Sequence, residues 1–231
     1  MTLEKKNNYK LISDYLLDLQ KVDSLEKMDN FVGLLTEAVN EVYPCISCKT
    51  GCYTCCTGAS MPSVYAKEWQ RIREYIKTMP EDLVEQIKTN VENLVSEKSE
   101  TLNFIHALLH SKVTTDEMAD VAAKLSEDMS GQKCPLHIDG KCSVYSVRPT
   151  KCRVFGYFSF VFNNEVQFLS CVSDNIKMRE YLSENKTKQL SVPYWNYIER
   201  KLVSFVTDQN EPFNMSVIPL WLKNDIDSGN L

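Results

Sequence analysis

The sequence predicts a mainly α protein: one helical domain over residues 1–231, with a cysteine-rich irregular insert and a small β-hairpin. Three observations predict it. Apolar residues recur at helical spacing through the first half of the chain. The pattern turns irregular between Ser130 and Cys152. From 154 to 172 it alternates with a period of two around Asn163-Asn164, as VFGYFSFVF and then EVQFLSCV.

Tyr9, Ile12, Leu16 and Leu19 fall on one helix face. A second stripe runs through Leu25, Met28, Phe31, Leu35, Ala38 and Val42, with Asp23 as its expected N-cap and Glu26 three residues on. Tyr43-Pro44 ends that helix, because proline disfavours helical backbone at the residue before it. Pro62 suits the first turn of the next helix, which carries Tyr65, Trp69, Ile72 and Ile76. Met79-Pro80 breaks it, and Glu81 and Asp82 favour the start of a further helix through Leu83, Ile87, Val91 and Leu94. A short separate helix is expected over Leu102 to Leu109, and another from Thr114, capped through Glu117. Turns are expected at Asp139-Gly140 and Arg148-Pro149. Helical pattern returns at Asp174 to Ser183 and Pro193 to Val206, and the apolar cluster Val217 to Leu222 is expected to dock on the core.

Composition narrows the function. The chain is 43% hydrophobic and 25% charged, which is ordinary for a globular protein. Its net charge of −5 argues against nucleic acid as a partner, since phosphate binding needs a basic face. The polar start MTLEKKNNYK does not read as a signal peptide, and no apolar run approaches membrane-spanning length. These features predict a cytoplasmic protein with no membrane partner. In that compartment closely spaced cysteines hold metal more often than they form disulfides.

The nine cysteines stand at 45, 48, 52, 55, 56, 134, 142, 152 and 171. Five of them crowd CISCKTGCYTCC, residues 45–56, where Cys45/Cys48 and Cys52/Cys55 have the C-x-x-C spacing that closes two thiolates on one ion. A lone cysteine is usually a small buried apolar residue. That explanation fails for five in a loop rich in Thr, Ser and Gly, though it keeps force for Cys171 at the end of an apolar strand. We therefore take Cys45, Cys48, Cys52, Cys55, Cys56, Cys134, Cys142, Cys152 and Cys171 as candidate metal ligands within a metal-binding region over 45–172. Zinc and iron–sulfur clusters both take four thiolates, so spacing does not separate them. On an extended chain the neighbours Cys55 and Cys56 would face opposite ways and serve different roles.

The ordered run Cys52-Tyr-Thr-Cys55-Cys56, Cys134-Pro135-Leu136, Gly140-Lys-Cys142-Ser-Val-Tyr145 and Arg148-Pro149-Thr-Lys-Cys152-Arg153-Val-Phe155 resembles the YkgJ-type cysteine-cluster family. That family's pattern is CG-x-CC, CP-x-L, G-x-C-x-x-Y and RP-x-x-CR-x-F, and its members are described as zinc- or iron-chelating or Fe–S proteins. The resemblance implicates Cys52, Cys55, Cys56, Cys134, Cys142 and Cys152 as ligands of an Fe–S cluster or, second, of Zn. Cys48 or Cys45 would supply the family's additional upstream cysteine, at a spacing one residue longer for Cys48. Tyr53 stands where the family has glycine. The family includes the flagellin lysine N-methylase, which uses S-adenosylmethionine. The resemblance thus also implies an alternative: an S-adenosylmethionine-dependent protein lysine N-methyltransferase acting on a protein substrate. With seven glycines and no G-x-G-x-x-G, the chain displays no conventional Rossmann-type pocket for that cofactor.

Other candidates are weaker. His106 and His110 are four apart on an expected helix, but Ala107 occupies the place where a zincin has glutamate. His137 lies between Cys134 and Cys142, inside the cluster segment. Arg148 and Arg153 flank Cys152, either to offset thiolate charge or to brace a turn. No Ser-His-Asp group, P-loop or glycosidase carboxylate pair is recognisable.

Overall fold

The computed structural model describes residues 15–48, 52–56, 61–109, 125, 127–162, 165–186, 190–207 and 214–231. Among them the chain is mainly helical, with short strands paired two by two. It divides into two compact units, Met1–Thr50 with Arg153–Phe205, and Gly51–Cys152 with Val206–Leu231.

In the first unit residues 15–19 are helical, and the rest of the expected N-terminal helix lies outside the described residues. Helix α1 (Leu25–Val42) buries Met28, Val32, Leu35, Ala38 and Val39. Its N-cap is Ser24, not Asp23: the Ser24 side chain accepts from the Lys27 amide, while the Asp23 carboxylate pairs with Lys27 Nζ at 2.7 Å. Tyr43 caps the C-terminus, immediately before Pro44.

The expected hairpin forms as β4 (Phe158–Phe162) and β5 (Glu165–Leu169), antiparallel, with Phe160 opposite Gln167; its turn lies outside the described residues. It begins later than the alternation implies. Val154 closes a short helix, and Gly156 turns the chain at φ +93° before the strand starts. Helices α5 (Val172–Glu184) and α6 (Trp195–Val206) follow, burying Met178, Trp195, Ile198 and Leu202.

In the second unit Pro62 does not open a helix. Ser63–Tyr65 form a strand, β1, paired antiparallel with β6 (Met215–Val217), and only then does α2 (Ala66–Ile76) begin. Helix α3 runs from Glu81 to Leu109; the separate helix expected from Leu102 is joined to it, with non-helical backbone at Lys98 marking the junction. The expected helix from Thr114 falls almost wholly outside the described residues. Helix α7 (Ile218–Asp227) contains the predicted apolar cluster, which docks as expected: Ile218 and Leu222 join Val64, Trp69, Ile72, Ile76, Ile87 and Val91 in one core. Each fully buried isoleucine or leucine there contributes roughly 1.5–3 kcal/mol. Polar bonds fix the seam. Trp69 Nε1 donates to Asp225 Oδ2 at 2.6 Å, and Trp221 Nε1 donates to the Val64 carbonyl at 3.0 Å.

No helix among the described residues is long and apolar enough to cross a membrane.

Gly156 packs closely against Cys48. A Cβ there would sit 2.9 Å from both Cβ and Sγ of Cys48, on backbone that side chains rarely adopt. Gly156→Ala is expected to destabilise the protein by about 2–4 kcal/mol, from left-handed backbone and overpacking together. Urea unfolding of the two proteins checks this; an unchanged midpoint would show that Cys48 yields freely.

Candidate metal centre

All nine cysteines are free thiols. The structure distributes them over both units. In the first, Cys45 Sγ lies 3.9 Å from Met178 Sδ, and Cys48 Sγ lies 3.6 Å from the Phe155 carbonyl oxygen. Burial pushes the Cys45 thiol up, reinforced by the negative charge of Asp174. Cys171 sits just before α5, 3.3 Å from Ser173 Oγ.

The second unit holds the other six, and here the sequence segments converge. Thr54–Cys56 form a 3₁₀ turn, and the Cys56 carbonyl accepts the Cys134 amide at 2.7 Å, tying the cysteine run to a segment nearly eighty residues later. Beyond Cys134 the chain makes a hairpin that periodicity did not reveal: β2 (His137–Ile138) pairs with β3 (Lys141–Cys142). Asp139 and Gly140 both have positive φ, 48° and 74°, the requirement of a type I′ turn. The Asp-Gly signal was legible; two-residue strands are too short to alternate visibly. A 3₁₀ turn, Tyr145–Val147, then leads to Arg148, whose guanidinium carbon lies 3.9 Å from the Tyr145 ring centroid.

Helix α4 (Thr150–Val154) carries Cys152, and a buried carboxylate anchors its start. Glu68 Oε1 accepts both the Thr150 amide and the Thr150 hydroxyl at 2.8 Å, while Oε2 accepts the Tyr65 amide at 3.4 Å. Sequence reasoning missed Glu68. The available signal was its place on the apolar stripe of Tyr65, Trp69, Ile72 and Ile76, where a charged residue demands a partner.

Electrostatics bind Cys55, Cys56, Cys134, Cys142 and Cys152 into one group. Cys55 and Cys56 share a hydrogen bond that holds Cys55 down to about 7 and drives Cys56 up. The doublet therefore acts jointly and does not face two ways, because a 3₁₀ turn replaces the extended chain that would separate the sulfurs. Burial pushes Cys134 up to about 12, with Cys142 and Cys55 adding to the rise. Cys152 is raised by burial and then by Cys55, Cys134 and Cys142, with Arg148 opposing. Arg148 also favours the Cys55 thiolate. Arg153, by contrast, is in the first unit, where its Nε pairs with Asp29 at 2.9 Å.

Cys52 Sγ lies 3.6 Å from Thr54 Oγ1. The His137 ring stacks obliquely on Tyr53 at 5.1 Å, and burial together with Lys133 lowers its pKa. His106 Nδ1 lies 3.3 Å from Ser216 Oγ; His110 lies outside the described residues. Among the described residues no group of three or more His, Cys, Asp or Glu side chains stands close enough together to hold a metal ion. The donor type is one that zinc and iron–sulfur clusters take, since thiols are soft ligands.

Fold and site thus define a helical cysteine-cluster protein. A family model described as "CxxCxxCC: Putative zinc- or iron-chelating domain" matches residues 47–185, and the chain belongs to that family. No curated protein and no solved structure matches the chain. Strand pairs among the described residues are two-stranded and antiparallel, so these residues contain no doubly wound parallel sheet of the conventional S-adenosylmethionine-binding kind.

Glu68 yields a pH test. Burial raises its carboxyl above the ordinary 4.5, and the bonds from Thr150 and Tyr65 oppose the rise. The folded state then keeps this proton longer than the unfolded state does. Its contribution is complete below 4.5 and is lost as pH rises through the folded-state pKa. The stability of the wild type minus that of Glu68→Gln should therefore fall across this window in urea unfolding; a flat difference would refute the linkage. Glu68→Ala orphans three donors and should cost on the order of 3 kcal/mol.

Proposed function

We propose that the second unit's cysteine cluster is a metal centre, in which thiolates hold an Fe–S cluster or, as the second choice, zinc. The observation that carries this reading is the gathering of Cys55, Cys56, Cys134, Cys142 and Cys152 from segments far apart in sequence into one mutually interacting set. Such thiols ionise at neutral pH when a cation replaces their protons, and the metal then supplies the charge that Arg148 alone does not. Zinc and iron–sulfur clusters both take four thiolates, so the five supply either with one to spare. Cys52, next to the 3₁₀ turn, is the sixth thiol of the same unit. The family's chelating description supports this reading.

Anaerobic purification followed by a visible spectrum and measurement of iron, zinc and sulfide per chain tests it. A brown protein with stoichiometric iron and sulfide is expected; a colourless one with one zinc supports the second choice. Protein prepared without chelators that contains neither metal would end the proposal. Cys142→Ser and Cys152→Ser should each lower metal content by about tenfold or more. Cys171→Ser, in the first unit, should leave it nearly unchanged. Equal retention in all three variants would dismantle the ligand assignment.

A further inference from the structure

The β4–β5 hairpin of the first unit is covered along one edge and open along the other. The Ser159 amide donates to the Pro193 carbonyl at 3.0 Å. The Val161 amide donates to Asn196 Oδ1 at 2.8 Å, and Asn196 Nδ2 donates back to the Val161 carbonyl at 3.3 Å. Residues 159 and 161 thus turn their backbone groups away from β5, and Phe158, Phe160 and Phe162 carry the ladder to Leu169, Gln167 and Glu165. By the same alternation Val166 and Phe168 point their backbone groups outward, along an edge of β5 that no described strand pairs.

That edge lacks the usual protections against strand addition. The strand Glu165-Val-Gln-Phe-Leu169 contains no lysine and no proline, and its one charge stands at its first position. Glu165, Val166 and Gln167 are exposed. Val161 and Val166 are directly opposed and share a face, yet they remain 42% and 52% exposed. The outward Phe168 carbonyl accepts from the Ser170 amide at 3.0 Å and keeps a second lone pair for a further donor.

We infer that this edge pairs with the same edge of a second copy of the chain, antiparallel about a two-fold axis at Gln167. In that register the edge is complementary to itself. Val166 meets Phe168 of the second copy, and the outward amides and carbonyls of the two residues answer one another. Glu165 falls opposite Leu169, so no charge faces its like. Gln167 faces its own equivalent at a position without main-chain bonds, where opposed side chains stand closest. Any extended chain satisfies the backbone groups. A second copy also lays an aromatic ring against the exposed Val166 and leaves an uncharged residue at the axis. The inference draws on the first unit alone and is independent of the metal centre.

Sedimentation equilibrium of the full chain over a dilution series tests it, with reductant present so that no disulfide joins two copies. The average mass should rise from 26.6 kDa towards twice that value as concentration increases. Gln167→Lys and Gln167→Glu each set like charges face to face at the axis, on an exposed side chain, and should each weaken dimerisation by about fivefold. An equal mixture of the two variants sets lysine against glutamate and should associate more tightly than either variant alone. A wild type that stays monomeric at every concentration overturns the inference and leaves the edge to an extended segment of a different protein. Dimerisation unchanged in both variants, or a mixture no tighter than its components, places the contact elsewhere and overturns it equally.

Discussion

Thiols crowded into a buried place resist ionisation, and this constraint governs the second unit. Two like charges 4 Å apart at an effective dielectric near 20 repel by about 4 kcal/mol. Cys134 and Cys152 are raised first by the loss of water and then by neighbouring thiols, Cys55 among them. One guanidinium, that of Arg148, opposes it at Cys55 and Cys152. Left to itself, the set must keep most of its protons. On the metal-centre proposal a bound cation would reverse the balance, because it favours the anions that crowding penalises.

Such a set holds together without metal only if the backbone does the gathering. One face of α2 shows how. Trp69, Ile72 and Ile76 on that face enter the apolar core with Leu136, Ile138 and Val144 from the segment that bears Cys134 and Cys142. Glu68 on the same face reaches the first turn of α4 and thereby sets the position of Cys152. The other turns of the cluster rest on main-chain bonds, from the Cys134 amide to Cys56 and from the Ser143 amide to Leu136. These supports draw on core burial and hydrogen bonding, not on ligation. On the metal-centre proposal, removing metal is therefore expected to loosen the cysteine segments and to leave the helices packed.

The helices were legible because their cores are amphipathic over several turns: Met28, Leu35 and Ala38 of the expected stripe are buried, and Val32 and Val39 beside them complete the face. Their ends were less so. Ser24 and Asp23 are both good caps, and only the observed bond to the Lys27 amide distinguishes them. Strands β1 and β6 are three residues each and pair across about 150 positions, beyond the reach of any local pattern. The cysteine set was legible as residue types, since five sulfurs in twelve positions have no ordinary structural explanation. Their grouping was not, because it depends on the Asp139-Gly140 turn, the Glu68 anchor and the main-chain bond from the Cys134 amide to Cys56.

The adjacent cysteines illustrate how local geometry decides chemistry. In an extended strand, successive side chains diverge and two neighbouring sulfurs would need two destinations. A 3₁₀ turn brings successive side chains round by about a third of a turn instead. The hydrogen bond between Cys55 and Cys56 follows from that proximity, and with it a division of roles: one thiol poised to lose its proton, the other holding it. On the metal-centre proposal Cys55 would supply a thiolate, whereas Cys56 would have to give up its proton to ligate. The doublet is thus one pair of coupled donors and not two thiols with separate destinations.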